Sequence, residues 1–266
     1  MSYTVTRREF SAALADHILY LLRDADGKQL NLSGRTITPQ AIPARAHCLR
    51  AANFACCHAR GVDLSARDLA YSTLPAADFS RAQLYCANLA HIAAENADFT
   101  EATLTSAIFR RAIINGAKFH ASIAPHADFS VACAVNADFS AAQLTSADFR
   151  SANLRAADFS DISGADLWLS ESDLTRANLQ RAFLSHANLT QADADGADLR
   201  GACLHGARLR LASLRGADLR GADLSYADLR GANLSGAKIK GADFSGALFD
   251  DDDDEPLADC ITDDHS

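Results

Sequence analysis

A period of five residues runs through three quarters of the chain, and it constrains the fold more than any other feature. The centre of each repeat, usually Leu or Phe, recurs at every position ending in 4 or 9 from Phe54 to Phe249, which makes forty repeats without an insertion. Six of these centres are weak, with Ala or Gly, and the register continues through them. Ala usually lies two residues before the centre, and Asp or Asn often lies one before it.

This period excludes the two ordinary secondary structures. An α-helix repeats about every 3.6 residues and a flat strand about every 2. Five residues fit a chain that turns a corner once per repeat, with two side chains pointing in and three pointing out. Asp or Asn before the centre suits such a corner because its side chain bonds to the local backbone, and Gly after the centre tolerates the dihedral angles of the corner.

The spacing of the Phe residues indicates the number of corners in each coil. One set recurs every twenty residues, and a second set does the same but lies ten residues out of step. Twenty residues are four repeats, so the sequence predicts an all-β solenoid, a quadrilateral β-helix of about ten coils with two Phe ladders on opposite walls. The two sets are Phe79, Phe99, Phe119, Phe139 and Phe159, and Phe109, Phe129 and Phe149.

The repeat motif also carries a family resemblance. Written Ala-Asp/Asn-Leu-x-x, it is clearest in Ala222–Tyr226, Ala227–Gly231 and Ala232–Gly236, and it covers residues 50–249. In this motif the chain resembles the pentapeptide-repeat proteins. The resemblance implies that the β-helix is right-handed. It also implies what some members do: quinolone-resistance and antibiotic self-protection members mimic DNA and bind type II topoisomerases, and others are effectors injected into host cells.

The N-terminal segment, residues 1–45, is predicted to be a cap, because an open solenoid end exposes both core and unpaired strand edges. Thr6 and Glu9 form a capping-box pattern ahead of a helix over about 7–23, and a short strand is expected around Gln29–Leu32. An amphipathic partner-binding helix is the alternative. The apolar face of the predicted helix consists of Phe10, Leu14, Ile18, Leu21 and Leu22.

The C-terminal segment follows the β-helix, which is assigned to residues 46–249. Residues 250–266 carry nine acidic groups and no Lys or Arg, so they are predicted to form a disordered acidic tail. Such a tail covers the last coil poorly. The coil end is therefore a candidate site of homodimerisation.

No catalytic motif stands out in the sequence. The best candidate metal ligands are His47 and Cys48 together with Cys56, Cys57 and His58. The register places Cys57 at an inward position and His58 at an outward one, which argues against a shared metal. We therefore expect no enzyme activity, no cofactor, no metal and no small-molecule substrate.

Residues twenty apart share a surface column, and one column is acidic. Lys118 and Asn178 interrupt it. Asp at this position has two explanations: it supports the corner, or it forms a face that imitates nucleic-acid phosphates. The acidic members of the column are Asp78, Asp98, Asp138, Asp158, Asp198 and Asp218.

Two further groups are candidate contacts. Trp168, the single Trp, and Phe183 occupy outward positions on neighbouring faces, where they either anchor a partner or repack an irregular coil. Residues 200–240 carry eight basic groups against three Asp. This basic group includes Arg210, Arg220 and Arg230, which the acidic tail would shield from nucleic acid or other anions.

Two functional classes remain open. One is a protein-binding scaffold or adaptor, including a translocated bacterial effector, which the distinct termini favour. The other is a DNA-mimicking modulator of DNA gyrase or topoisomerase IV, which the acidic column favours. The seven Cys residues are scattered, and the start of the chain is unlike a secretory signal. Both observations predict a cytoplasmic location. Export to a host cell without a signal peptide is compatible with both observations. No apolar run is long enough to span a bilayer.

Overall fold

The structure, a computed structural model, describes residues 3–44, 46–250, 257 and 260. The N-terminal segment contains strand β1 (Thr4–Val5), helix α1 (Arg7–Leu21), strand β2 (Thr36–Ile37), which pairs in parallel with β1, and a 3-10 helix (Pro39–Ala41). Among the described residues no helix is long and apolar enough to cross a membrane.

From residue 48 onward the chain winds into stacked coils. Isolated parallel β-bridges join residues twenty apart, from Cys48 with Asp68 to Asp228 with Leu248. Each coil therefore holds four repeats, in agreement with the spacing of the Phe residues. The centre of each repeat and the residue two before it are buried along most of the solenoid, and together they form one continuous core.

The two Phe ladders meet inside the solenoid. The Phe119 ring stacks on Phe99 and Phe139, with centroids 5.0 and 4.7 Å apart. It also meets Phe109 and Phe129 edge to face, at 5.5 Å each. The ladders thus contact one another across the interior as well as along their own walls, and both geometries are favourable for aromatic rings.

Every corner of the solenoid has the same backbone geometry. At the corner after Phe79, for example, the Ala82 N–H donates to the Phe79 carbonyl at 3.0 Å, and Arg81 between them has a φ of 59°. Positive φ at this position is what a type II turn requires. All positions from 51 to 246 that end in 1 or 6 have positive φ, and most of them are not Gly. Hydrogen bonds between stacked coils hold the backbone of these residues in a φ region that L-residues otherwise avoid.

Glycine at the corner has a second role, because it makes room for the side chain one coil earlier. A Cβ added to Gly206 would lie 2.7 Å from His186 Nδ1, whereas a Cβ added to Gly216 would meet nothing within 4 Å. The two glycines have nearly the same φ, 62° and 63°. They therefore form a matched pair that differs only in the side chain one coil earlier.

We expect Gly216→Ala to lower the free energy of unfolding by about 1–2 kcal/mol, the cost of a left-handed Ala. Gly206→Ala should cost about 1 kcal/mol more, because the His186 ring must leave its rotamer. Chemical denaturation of both variants measures the difference. Equal losses would show that His186 yields freely and that only the backbone matters.

Helix α1 begins with the predicted capping box but buries a different face. The Thr6 side chain accepts from the Glu9 N–H, and the Glu9 carboxylate accepts from the Thr6 N–H. Phe10 and Leu14 are buried as expected. The prediction is wrong further along, since Ile18 and Leu22 are 48% and 74% exposed.

His17 takes the buried place that was predicted for Ile18. Its Nε2–H donates to the Arg50 carbonyl at 2.8 Å, and its Nδ1 accepts from the Leu30 N–H at 3.0 Å. The imidazole thereby joins helix α1, the following loop and the first full coil. Burial lowers the pKa of His17, partly offset by the bond to Arg50.

Residues that precede position 46 already stack on the solenoid. Asn31 bridges Asn53 and Thr36 bridges His58, both in parallel, with a separation of twenty-two residues instead of twenty. Leu30, Leu32 and Ile37 are buried in the same core. The predicted strand at Gln29–Leu32 corresponds to the single bridge at Asn31.

At the other end the predicted disordered tail, 250–266, lies outside the described residues except for Asp250, Leu257 and Cys260. The Asp250 carboxylate accepts the Gly231 N–H at 2.7 Å. Phe244 and Phe249 in the last coil are only half-buried, unlike the Phe residues of the ladders. The C-terminal end of the core is thus incompletely covered by the described residues.

Candidate binding surfaces

The acidic column lies in one line on one face of the solenoid. Asp78 bridges Asp98, and the bridges continue in steps of twenty residues as far as Asp218, through Lys118 and Asn178. Its members are half-buried except for Lys118, which is exposed.

Each Asp of this column supports its own corner. Asp78 Oδ1 accepts the Ser80 N–H at 3.0 Å and the Ser80 hydroxyl at 2.6 Å. The same bond to the N–H two residues on recurs at the other members of the column. The corner explanation therefore applies to every Asp in the line, and it leaves the second carboxylate oxygen available.

The second oxygen is used differently along the column. Asp198 and Asp218 each bind the arginine two residues on, Arg200 and Arg220, at 2.7 Å. The Arg220 guanidinium holds the pKa of the Asp218 carboxyl below its usual value. No ion pair within the described chain involves the other four members, which are Asp78, Asp98, Asp138 and Asp158.

The structure does not bring the three candidate arginines together. Arg210 and Arg230 follow one corner column, whereas Arg220 lies on the opposite corner, half a coil away. Arg230 binds the Asp228 carboxylate of its own repeat at 2.7 Å and lowers the pKa of that carboxyl. Counting charges in the sequence missed this pairing, although Asp and Arg two residues apart in one repeat are its visible signal.

Trp168 and Phe183 lie on neighbouring faces and are 43% and 47% exposed. On one side the Arg150 guanidinium lies 5.5 Å from the centre of the Trp168 ring. On the other side Trp168 borders a groove of about 410 Å³, whose remaining lining is Asp166, His186, Asn188, Gly206 and Arg208.

The corner between these two faces carries an aromatic series that the sequence did not suggest. His186 and His205 meet edge to face at 5.7 Å, and His205 meets Tyr226 in the same way at 5.5 Å. We call Trp168, Phe183, His186, His205 and Tyr226 the aromatic corner. The series was missed because its members are nineteen to twenty-one residues apart and become neighbours only through the coil.

The candidate metal ligands are spread around the solenoid. Cys57 is fully buried, and burial raises the pKa of its thiol to about 12. His58 and Cys56 are exposed on a face and on a corner, and Cys48 bridges Asp68 on another face. Among the described residues no group of three or more His, Cys, Asp or Glu is placed to hold a metal ion.

Stacked four-repeat coils with long columns of exposed side chains define a solenoid repeat protein. The chain belongs to the pentapeptide repeat family, since the model for pentapeptide repeats matches eight copies over residues 82–120, 126–161, 172–210 and 212–251, more than half of the chain. Proteins of this family fold as right-handed quadrilateral β-helices and are generally structural or binding scaffolds, not enzymes.

Several solved pentapeptide repeat proteins are similar to this chain. HetL, involved in heterocyst differentiation regulation in the cyanobacterium Nostoc sp., is 29% identical over 94% of this chain and 96% of its own, with a TM-score of 0.37. A protein from the Arabidopsis thaliana thylakoid lumen is 38% identical over 31% and 60%, with a TM-score of 0.28. QnrB1, a plasmid-mediated fluoroquinolone resistance protein, is 20% identical over 67% and 90%, with a TM-score of 0.38. No curated protein sequence matches the chain.

Proposed function

We propose that the protein is a non-enzymatic scaffold that binds another protein through the aromatic corner. The observation that carries this proposal is the exposure of Trp168 and Phe183 on adjoining faces, with Trp168 beside a groove. Large aromatic side chains near charged groups are frequent anchors of protein interfaces.

The repeat itself does not require these aromatics. Both occupy the position before the centre, where Asp or Asn usually accepts the corner N–H. Trp168 also falls within residues 162–171, which lie between the segments that match the family model. Two repeats have therefore lost the usual polar residue at this position, and a binding role explains why.

The groove beside Trp168 combines an aromatic wall with opposite charges. Asp166 and Arg208 line it together with the Asn188 amide, and Gly206 adds no side chain to it. A partner that inserts an apolar side chain against Trp168 and offers a polar group to Arg208 or Asp166 would satisfy these groups. We expect a folded protein or an extended peptide of that composition.

Trp168→Asn should abolish partner binding while the fold is preserved, since Asn at this position restores the repeat. Immobilised wild-type protein and the variant are compared for capture of proteins from a bacterial lysate, and a captured partner is then purified. Because Trp168 is the single Trp, its fluorescence reports directly on binding of that partner. A blue shift in the emission is expected as the ring leaves water.

The matched control is Ile108→Asn, which changes an exposed apolar residue in the same column three coils away. It should leave both capture and the fluorescence shift unchanged. A partner that binds Trp168→Asn as tightly as wild type would contradict the aromatic corner as the contact surface.

A second candidate function is favoured by the acidic column, in which four carboxylates without an ion pair among the described residues follow one line at the spacing of the coils. In this alternative the column imitates DNA phosphates and binds DNA gyrase or topoisomerase IV. The interruption at Lys118 and the ion pairs of Asp198 and Asp218 weaken it. The aromatic corner is therefore preferred.

Asp-to-Asn replacements test this alternative, because Asn keeps the corner bond and removes the charge. Asn178 already accepts the Gln180 N–H in this way, at 3.2 Å. If the column mimics DNA, changing Asp78, Asp98, Asp138 and Asp158 to Asn should abolish binding to purified gyrase. Unchanged binding, or none by wild type, rules the alternative out.

Other parts of the proposal rest on the sequence. Residues 1–45 are proposed as a cap, 46–249 as the binding solenoid and 250–266 as the acidic tail. A cytoplasmic location is proposed from the scattered cysteines, and a homodimer through the C-terminal end from the half-buried Phe244 and Phe249. Delivery into a host cell has no support from the fold.

A further inference from the structure

One repeat near the N-terminal end carries a charge where the other repeats are uncharged. Arg67 lies two residues before the centre Leu69, at the position that is Ala in most repeats and Cys, Val, Ser, Ile or Leu in the rest. One coil later the same column continues with Ala87 and then Ala107, both fully buried. The repeat motif does not explain a guanidinium at this position.

The reason begins with a missing strand below Asp63, on the face that precedes Arg67. In the first layer Asn53, His58 and Asp68 each donate a backbone N–H to the layer before, namely to Leu30, Arg35 and His47. Asp63, on the fourth face, bridges only the next coil. The 3-10 helix Pro39–Ala41 replaces the strand there, and within the described residues no acceptor pairs with the Asp63 N–H.

Arg67 extends toward this gap and uses only part of its guanidinium. Nη1 donates to the Ala44 carbonyl at 2.9 Å and lies 3.0 Å from His47 Nδ1. Nε is buried and has no hydrogen-bond partner among the described residues. Among the described residues Nη2 has no hydrogen-bond partner either, so no protein acceptor pairs with the edge formed by Nε and Nη2.

The same edge binds carboxylates elsewhere in this chain. Arg150, Arg200 and Arg230 each direct Nε and Nη2 at the Asp of their own repeat, at 2.6–3.0 Å. The planar fork fits the two oxygens of a carboxylate or of a phosphate group. In Arg67 no carboxylate of the described residues pairs with this fork.

Arg67 also lines a cavity of about 370 Å³. Arg7, Gln40, Asp63 and Arg67 supply its polar lining, and Ile42 is part of its apolar wall. The two arginines outweigh the single carboxylate. The Asp63 carboxylate is itself engaged, since it accepts the Ser65 N–H at 2.9 Å, and hydrogen bonds from Ser65, backbone first, lower its pKa.

We infer that this cavity is a binding site for a small oxyanion, a carboxylate or a phosphate group, held by the guanidinium of Arg67. Arg7 adds a second positive charge, and the Gln40 amide and the Asp63 N–H are further donors. The site lies at the N-terminal end of the solenoid, away from the aromatic corner, so it is independent of the proposed function.

Thermal unfolding of the full chain tests the site, with sodium phosphate and sodium acetate titrated at constant ionic strength against sodium chloride. Binding to the folded state raises the melting temperature. Wild type should be stabilised by at least one of the two anions relative to chloride. Phosphate alone would identify a phosphate group as the ligand chemistry, and acetate alone a carboxylate.

Two arginine variants separate the site from general charge effects. Arg67→Ala introduces the residue that the same column has in the next two coils. It should weaken the anion affinity by about tenfold or more. Arg60→Ala removes an exposed charge outside the cavity and should leave the affinity unchanged. Equal stabilisation of all three proteins, or none of wild type, would overturn the inference, and Arg67 would then serve only to fasten the segment around Ala44 and His47.

Gln40→Ala covers the case in which Arg67→Ala does not fold. It keeps both arginines and removes one neutral donor, so the affinity should fall by about threefold to tenfold. An affinity equal to that of wild type would also count against the site.

Discussion

Phe119→Ala is expected to lower the free energy of unfolding by about 3–5 kcal/mol, the usual cost of truncating a fully buried Phe. Phe119 is completely buried and contacts four other rings, two in its own ladder and two in the opposite one. Neighbouring coils are held by the same parallel bridges, so the cavity cannot close by a shift of one strand. Chemical denaturation of the full chain measures the loss.

The control is Phe183→Ala, which removes the same side chain from a surface position. Its cost should stay within about 0.5 kcal/mol, as for other surface substitutions. A loss below about 1 kcal/mol for Phe119→Ala would contradict the stacked ladder, since that range belongs to exposed side chains.

The period of five is what made the solenoid predictable. It repeats the same two inward positions forty times, so a single register error would have placed Asp or Arg in the core throughout. The spacing of the Phe residues added the number of faces, because like rings stack when they recur once per coil. The family assignment follows from the same motif and is confirmed.

The N-terminal segment, which lies outside the five-residue repeat, was predicted less well. His17 interrupts an apolar pattern, so the sequence favoured Ile18 as the buried residue. The ring is buried because it can donate to Arg50 and accept from Leu30, and both partners are distant in sequence. A repeat pattern contains no information about hydrogen bonds of this kind.

The candidate binding sites were also predicted only in part. The acidic column was visible as residues twenty apart, and its carboxylates bond to their own corners, as the first of the two explanations predicted. The arginines Arg220 and Arg230 were read as free positive charge, whereas each is paired within its repeat. Arg67 is a charge at an inward position that was not singled out from the sequence, and its meaning depends on the missing strand below Asp63.

His17→Ala is expected to destabilise the N-terminal segment by about 2–4 kcal/mol, because it leaves the Leu30 N–H and the Arg50 carbonyl without their partner and opens a cavity. Hydrogen exchange of residues 7–32 measures this locally. Fast exchange there with unchanged protection in the middle coils is the expected result. His126→Ala, at an exposed corner, is the control and should change neither region.

The same residue predicts a pH dependence with a definite sign. The pKa of His17 is lowered in the folded state because the ring is buried, so the unfolded segment binds the proton more readily. The stabilisation by neutral His17 is complete above the unperturbed pKa of about 6.5, and it is lost as the pH falls from there toward the lower folded value. Protonation of Nδ1 removes the acceptor of the Leu30 N–H and leaves a charge beside the core.

Exchange of residues 7–32, corrected for the intrinsic effect of pH, should therefore accelerate between pH of about 7.5 and about 5.5 in wild type. In His17→Ala it should be fast at both values, because the titrating group is gone. Equal protection of the wild-type segment at the two pH values would mean that the imidazole stays neutral or that its two hydrogen bonds do not hold the helix. A response that persists in His17→Ala would assign the pH dependence to another group.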